Sequence, residues 1–324
     1  MSGQQRRRIF VTSCCFVSSV SLGAQSPSRQ LGERMYSERK FAEAKQALVQ
    51  PAAAGDSWAQ FWLARIALDE NLPDSAETML RRAANSQDSV SEFHGWLGFA
   101  QTARASQANA LMRPILVRDA LKELRRAADL SPSNVTARVQ LLEILVRAPG
   151  FMGGDRDEAR VRVEEIRRFN PYIGGLKAAW LAEDDRAMAV AEREYRQLIQ
   201  TFPDSFAPPN QLGDVLTRQQ RWDDAFKLFD DRLKTRPNEG IALFGLGKAA
   251  SLSGRRMEEG ISTLTRYLTL PVPPGAPTHA AAHYRIGVIE QRRGNTDAAR
   301  REYQAALNLN PRYEDAKRAL ASLP

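Results

Sequence analysis

The side chains best suited to chemistry are few in this sequence and badly placed for it. There are three histidines, His94, His279 and His283, and two cysteines, Cys14 and Cys15. Adjacent acids occur as Asp184-Asp185 and Asp230-Asp231. A metal centre needs three or four nitrogen, oxygen or sulfur ligands converging on one point. The histidines are scattered, and His279 and His283 have no acidic cluster beside them, so no metal site is expected. Neighbouring acids on a helix point about 100° apart and do not face each other, so the two Asp pairs are surface charges and not an acid and base couple. The chain has no Gly-x-Ser-x-Gly elbow, His-Glu-x-x-His helix, Walker loop or dinucleotide fingerprint. Without a poised nucleophile, base or metal, catalysis is not expected, and no cofactor is implied.

What carries those residues is a folded chain. It has 324 residues with 43% apolar side chains, far from the polarity of a disordered sequence. The net charge of +8 comes from 46 Lys and Arg against 38 Asp and Glu. Without Arg6, Arg7 and Arg8 the balance is 43 against 38, or +5. Beyond these the basic residues come as pairs, Arg81-Arg82 and Arg125-Arg126, interleaved with acids. They are solvated helix faces, and no nucleic-acid arm is implied.

Residues 1–24 have the three-part layout of a secretory signal: a polar start, Arg6 to Arg8, the serine-containing apolar run Ile9 to Val20, and a small residue at Ala24. The apolar run is shorter than the roughly 20 residues a spanning helix needs, although a retained N-terminal anchor is the alternative. The expected location is periplasmic or secreted. Arg7-Arg8-Ile9-Phe10-Val11 also resembles the twin-arginine export signal, and the same arginines equally suit an ordinary positive n-region. Val11-Thr12-Ser13-Cys14 faintly resembles a lipoprotein box, with too few residues after Arg8 to be one. Cleavage after Ala24 would remove both cysteines, leaving neither a disulfide nor a thiolate metal site.

From residue 25 on, apolar residues recur at helical spacing over stretches of about 12 to 15, broken at Gly, Pro, Asn or Asp. The chain is a series of helix pairs. The last pair carries Ile286, Gly287, Gly294, Ala299, Tyr303, Ala306, Leu307 and Pro311. Gly287 and Ala299 are expected to face each other at the helix crossing, with Tyr303 beside them. Gly294 suits the tight turn, and Pro311, lacking an amide hydrogen, ends the second helix. The template returns with Leu212, Gly213, Ala225, Phe229 and Pro237, and with Leu246, Gly247, Gly254, Gly260 and Leu264. It is weaker in Ala191, Tyr195 and Pro203. Upstream it is Leu31, Gly32, Ala44 and Leu48, then Leu63, Ala64, Ala76 and Leu80. Two units are stretched: Leu97, Gly98, Ala120, Leu124 and Pro132, then Leu141, Ala159 and Pro171.

This pattern resembles the tetratricopeptide repeat, whose helix pairs take about 34 residues. The resemblance implies an all-α, right-handed superhelical solenoid with eight units: 25–56, 57–90, 91–134, 135–171, 172–205, 206–239, 240–279 and 280–313. Residues 314–324 read as a capping helix, with Ala316, Ala319 and Leu320 on one face and charges on the other. The repeat is broken in three places. About ten extra residues, Ala103 to Arg113, lengthen the third unit. Ala148 to Asp155 replaces a turn in the fourth, where Phe151 and Met152 either pack over helix ends or meet a partner. This segment is similar to a subtype of bacterial repeats with a Trp-Leu-Gly followed by a Pro-Gly-x-x-Gly-Gly turn. It lacks the Lys and Ser or Thr of a phosphate loop, and nucleotide binding is excluded. Pro271 to Pro277 should be a stiff connector that sets the final unit slightly apart.

The resemblance implies a non-catalytic scaffold that binds protein or peptide segments in a concave groove, with no small-molecule substrate. The alternative is a structural subunit of an envelope or secretion complex. In the family, positions two, five, nine and twelve of each unit point into the groove. Here they include Trp58, Phe61, Arg65, Phe99, Trp180, Asn210, Asp214, Phe244, Lys248, Tyr284 and Gln291, with Phe151 and Met152 added from the loop. The Lys and Asn set that clamps a C-terminal carboxylate in some members is absent, since Arg29, Phe61, Gly95 and Leu176 stand where it is needed.

Overall fold

This computed structural model describes residues 26–273 and 275–324; the segment read as an export signal, both cysteines and Pro274 lie outside them. Seventeen α-helices, and no strand among the described residues, fall into two compact units. Unit 1, ending at Ser131, holds α1 (Pro27–Ser37), α2 (Phe41–Ala53), α3 (Ser57–Asp69), α4 (Pro73–Ser86), α5 (Ser91–Gln107) and α6 (Arg113–Leu130). Unit 2 starts at Pro132 with α7 (Val135–Arg147), α8 (Arg156–Phe169), α9 (Pro171–Asp184), α10 (Met188–Thr201), α11 (Ala207–Arg218) and α12 (Trp222–Thr235). It continues through α13 (Gly240–Ser253), α14 (Met257–Leu268), α15 (His279–Arg292), α16 (Thr296–Leu309) and the capping α17 (Glu314–Ala321). The helices make eight antiparallel pairs, each packed on the next within its unit. This is the all-α helical solenoid architecture.

Local chemistry sets the helix ends. Asp56 Oδ1 accepts from the amides of Trp58 (2.9 Å) and Ala59 (3.1 Å), starting α3 and fixing the phase of everything it presents. Asn134, Asp155, Asn170 and Thr278 cap α7, α8, α9 and α15 in the same way. The turn within a pair is closed by a left-handed residue, which is Gly294 in the last pair and Gly254 in the seventh. In four other pairs it is Arg39, Asn71, Arg186 or Gln220, side chains that bear the steric cost of positive φ.

Within each pair the axes approach at a small residue on the first helix. A methyl on Gly287 would overlap the Tyr303 ring, and one on Gly213 would overlap Phe229. The Tyr303 ring lies directly over Gly287, as expected of the aromatic beside the crossing, and Ala299 is fully buried. The third pair is lengthened, α5 to 17 residues and α6 to 18, and its tip leaves Leu111 at 84% exposure. The Pro271 to Pro277 connector does not set the last pair apart. Ala282, Ile286 and Ile289 share one core with Leu243, Leu264 and Tyr267, and the Tyr267 hydroxyl donates to the Pro277 carbonyl. Ala316 of α17 is fully buried against the preceding pair, so the final apolar stripe is covered.

Candidate functional site

In unit 1 the first helices α1, α3 and α5 lie side by side. Residues three or four apart share a helix stripe, so Trp58, Trp62 and Arg65 emerge together from α3. The Arg65 guanidinium carbon sits 4.3 Å from the centre of the Trp96 ring, 4.8 Å from Tyr36 and 4.9 Å from Trp62. One cation is thus surrounded by rings from all three first helices. Trp62 donates its indole N–H to Glu33 Oε1 (2.8 Å), which also receives Arg29 Nε (2.9 Å). The Tyr36 hydroxyl donates to Asp69 Oδ2 (2.9 Å); burial, more than that bond, pushes its pKa up, so it stays a donor. Trp58 packs edge-on to Phe93 at 4.8 Å, with Arg29 over its face at 5.4 Å. Phe99, at 37% exposure, extends the surface from Trp96, 5.4 Å between ring centres.

Phe61 is different. It is 3% exposed, inside the core with Leu97, Leu80 and Phe93, and supports Trp58 and Trp62 from beneath without being available to a partner. Phe244 is likewise core, 5% exposed against Tyr267. These two side chains, read from spacing as groove-facing, point inward because α3 and α13 are each covered on more than one side.

The first-helix face of unit 2 is occupied by ion pairs. Lys177 reaches Glu143 at 2.6 Å and lies 5.3 Å from the Trp180 ring, with Arg147 at 5.9 Å. Lys248 pairs with Asp214 at 2.5 Å, and Arg218 with Glu183, which also accepts from the Tyr195 hydroxyl at 2.7 Å. Asn210 is half-buried on α11. Tyr284 is enclosed by Tyr303 (5.9 Å) and Tyr313 (5.2 Å), and Gln291 accepts from the Tyr303 hydroxyl at 2.6 Å. Here the positions chosen by helical phase mostly serve the contact between neighbouring pairs.

The loop of the fourth pair forms a short 3-10 turn, Gly150–Met152, then Gly153 at φ 100°. Gly154 is required because a Cβ would collide with the Ala148 carbonyl oxygen. Asp155 then accepts from the amides of Asp157 and Glu158, both at 2.9 Å. Phe151 is not tucked over helix ends: it is 65% exposed, while Met152 is half-buried.

Among the described residues no group of three or more His, Cys, Asp and Glu could hold a metal, and no helix is long and apolar enough to cross a membrane. The histidines clasp neighbouring segments: His94 to Glu123 (2.6 Å), His279 to the Leu270 carbonyl (2.9 Å), His283 to Glu302 (2.7 Å). Asp184 and Asp185 bind Arg156, and Asp230 binds Arg256 at 2.8 Å. Asp231, between Lys234 and Lys227, has its pKa drawn down to about 2. Each of these carboxylates is held by a neighbouring cation.

Trp62, Trp96 and Tyr36 escaped the positional rule, yet they wall the site. A signal existed. Trp62 and Trp96 fall at the same phase one repeat length apart, and both sit next to positions the rule selects.

Residues 280–320 match the tetratricopeptide repeat model. Among solved structures, yeast Tom70 aligns with a TM-score of 0.60 at 13% identity, over 93% of this chain and 65% of that one. A tetratricopeptide repeat protein from Parabacteroides merdae gives 0.52 at 14% identity, over 82% of this chain and 97% of its own. A thermophilic repeat protein of Thermus thermophilus gives 0.48 at 18% identity, over 59% and 97%. No curated protein sequence matches the chain. At such identities the first two likenesses concern architecture, and with the matched final repeat they give the chain the fold of a tetratricopeptide-repeat solenoid.

Proposed function

We propose that this protein is a non-catalytic scaffold that holds segments of other proteins along the first helices of unit 1. The observation that carries the reading is the partly exposed wall of Trp58, Trp62, Trp96 and Phe99 around Arg65. Aromatics and Arg are the residues that dominate binding hot spots, because large rigid surfaces lose little entropy when covered. The charged ladder of unit 2 offers no comparable surface. Nucleic acid, a metal or a small-molecule substrate is not part of this reading. We further propose that the chain acts outside the cytoplasm after export. Mass spectrometry of the native protein should find a chain starting near Gln25, and an intact Met1 in a cytoplasmic fraction refutes the export.

Affinity capture from the cell envelope tests the binding reading. Replacing Trp62 and Trp96 by Ala should remove captured partners that Trp180→Ala leaves in place. Unchanged capture with helicity intact sinks it. In a parallel capture, replacing Phe151 and Met152 by Ser asks whether the exposed loop contributes; loss of partners at unchanged melting temperature assigns it to the contact.

A further inference from the structure

Arg65 differs from the paired cations of the first-helix faces, and from Arg147 and Arg285, which each lie over a single ring, in lying among rings of three helices. Arg29 has Glu33, Lys177 has Glu143, Lys248 has Asp214 and Arg218 has Glu183. Among the described residues Arg65 makes no ion pair, and its Nε is buried without a hydrogen-bond partner. The carboxylates that touch its cage are already engaged, Glu33 by Arg29 and Trp62, Asp69 by the Tyr36 hydroxyl. Rings of Tyr36, Trp62 and Trp96 surround the guanidinium carbon, and beyond its contact with the Tyr36 hydroxyl no carboxylate takes its N–H groups, whose fork matches a carboxylate edge-on. Rings on the faces also exclude water, which strengthens any anion contact made at the edge.

Resting on the groove reading above, we propose that Arg65 receives the side-chain carboxylate of an internal Asp or Glu in an extended partner segment, with a flanking aromatic or aliphatic residue laid on Trp62 and Trp96. The complementarity is of charge and surface together: an unneutralised cation inside an apolar wall takes an anion carried between apolar residues. A chain terminus fits less well. It asks for several donors around one carboxylate, whereas the fifth and ninth positions hold Arg29, already paired, and Glu33 on α1, and Gly95 and Phe99 on α5.

The test uses the purified full chain and labelled decapeptides, acetylated and amidated at their ends, with a Phe-Glu-Phe or Leu-Glu-Phe core. Twins carry Gln for Glu, and a third set carries Gln with a free C-terminal carboxylate. Fluorescence anisotropy should show the Glu peptides binding at least about tenfold tighter than their Gln twins, the strength expected of a charge-assisted contact. Added salt should shrink that preference. Arg65→Gln should abolish it while both twins still bind, and Arg65→Lys, which keeps the charge but not the fork, should retain part of it. Circular dichroism checks that each variant is folded. Equal binding of the twins overturns the carboxylate assignment, as does an undiminished preference in Arg65→Gln, stronger binding of the free-terminus set, or no binding by any peptide. Binding without acid preference that Trp62→Ala with Trp96→Ala removes would leave the groove reading standing. Peptide binding that this double variant does not weaken would refute the groove itself.

Discussion

The ninth position of successive first helices carries Glu33, Arg65 and Phe99 in unit 1, but Glu143, Trp180, Asp214, Lys248 and Val288 in unit 2. In unit 2 the charges cancel along the face, Glu143 through Lys177 and Asp214 through Lys248. Each pair links neighbouring repeats and leaves little for an outside ligand. In unit 1 the cation is met by rings, and the acids beside it are bound elsewhere. On the proposed reading, the same repeat geometry supports two uses of the first-helix face: cohesion between repeats where charges are complementary in sequence, and reception of a partner where they are not. Fold alone could not have separated these uses, because both faces are built from helices of equivalent phase.

The comparison can be broken at its foundation. Phe61 is fully enclosed under the unit 1 wall, so Phe61→Ala should lower unfolding free energy by about 3 kcal/mol or more through lost burial and a cavity. Hydrogen exchange should show the loss in α3 to α5, with amides of α11 to α13 still protected. A uniform loss across both units would mean that they do not open separately. A smaller change than about 1 kcal/mol would mean that the wall does not rest on this core.

One step smaller is the binding contrast itself. Trp62→Ala with Trp96→Ala should weaken partner capture at least about tenfold, equivalent to about 1.4 kcal/mol. Trp180→Ala should weaken it less than about threefold, because that ring is already flanked by Lys177 and Arg147. Equal losses from the two changes would erase the distinction between the faces.

How much of this was legible beforehand depends on the kind of information. Helix pairs, small crossing residues and caps follow from period and residue type, and Gly213 against Phe229 is the sort of contact that spacing predicts. Which side of a helix is free does not follow from period alone. Phe61 and Trp62 are adjacent, both are aromatic, and only the packing of α5 decides that Phe61 is enclosed and Trp62 partly open. Pairing of charges is equally hidden: Asp214 and Lys248 lie one repeat apart in sequence but touch in space, which a single-helix reading treats as two separate polar residues.

That pair sharpens the comparison at lower energy. Asp214→Asn leaves Lys248 without its carboxylate and so imitates in unit 2 the unpaired cation of unit 1. Both side chains are partly exposed, 33% and 22%, so the stability cost should stay within about 1 kcal/mol. The Glu peptides should then gain a weak, salt-sensitive second contact that the wild type lacks, read as an added binding phase in anisotropy. If none appears, a free cation without an aromatic wall is not enough to receive an acid, and the rings of unit 1 supply more than support.

The smallest expected effect concerns pH and again divides the units. His94 is buried between α5 and α6, where Nδ1 lies 2.6 Å from Glu123 Oε2 and Nε2 lies 3.0 Å from the Asp88 carbonyl and 3.3 Å from its carboxylate. The Glu123 hydrogen bond, opposed by burial, raises the His94 pKa above its ordinary value. A group whose pKa is higher folded than unfolded adds stability in full below the unfolded value of about 6.5 and loses it as pH climbs through the folded value. Unit 1 should therefore lose about 1 kcal/mol as pH rises from about 6 toward alkaline conditions, the size of a typical net hydrogen bond. Arg126 also binds Asp88 at 2.6 Å, so the Asp88 side of this contact keeps a cation when His94 becomes neutral and only part of the clasp is released. Thermal unfolding followed across that range should show a decline for the wild type that His94→Gln flattens, with the change confined to unit 1 amides in hydrogen exchange. A decline that survives in His94→Gln would assign the pH dependence to another group and remove this asymmetry between the two units.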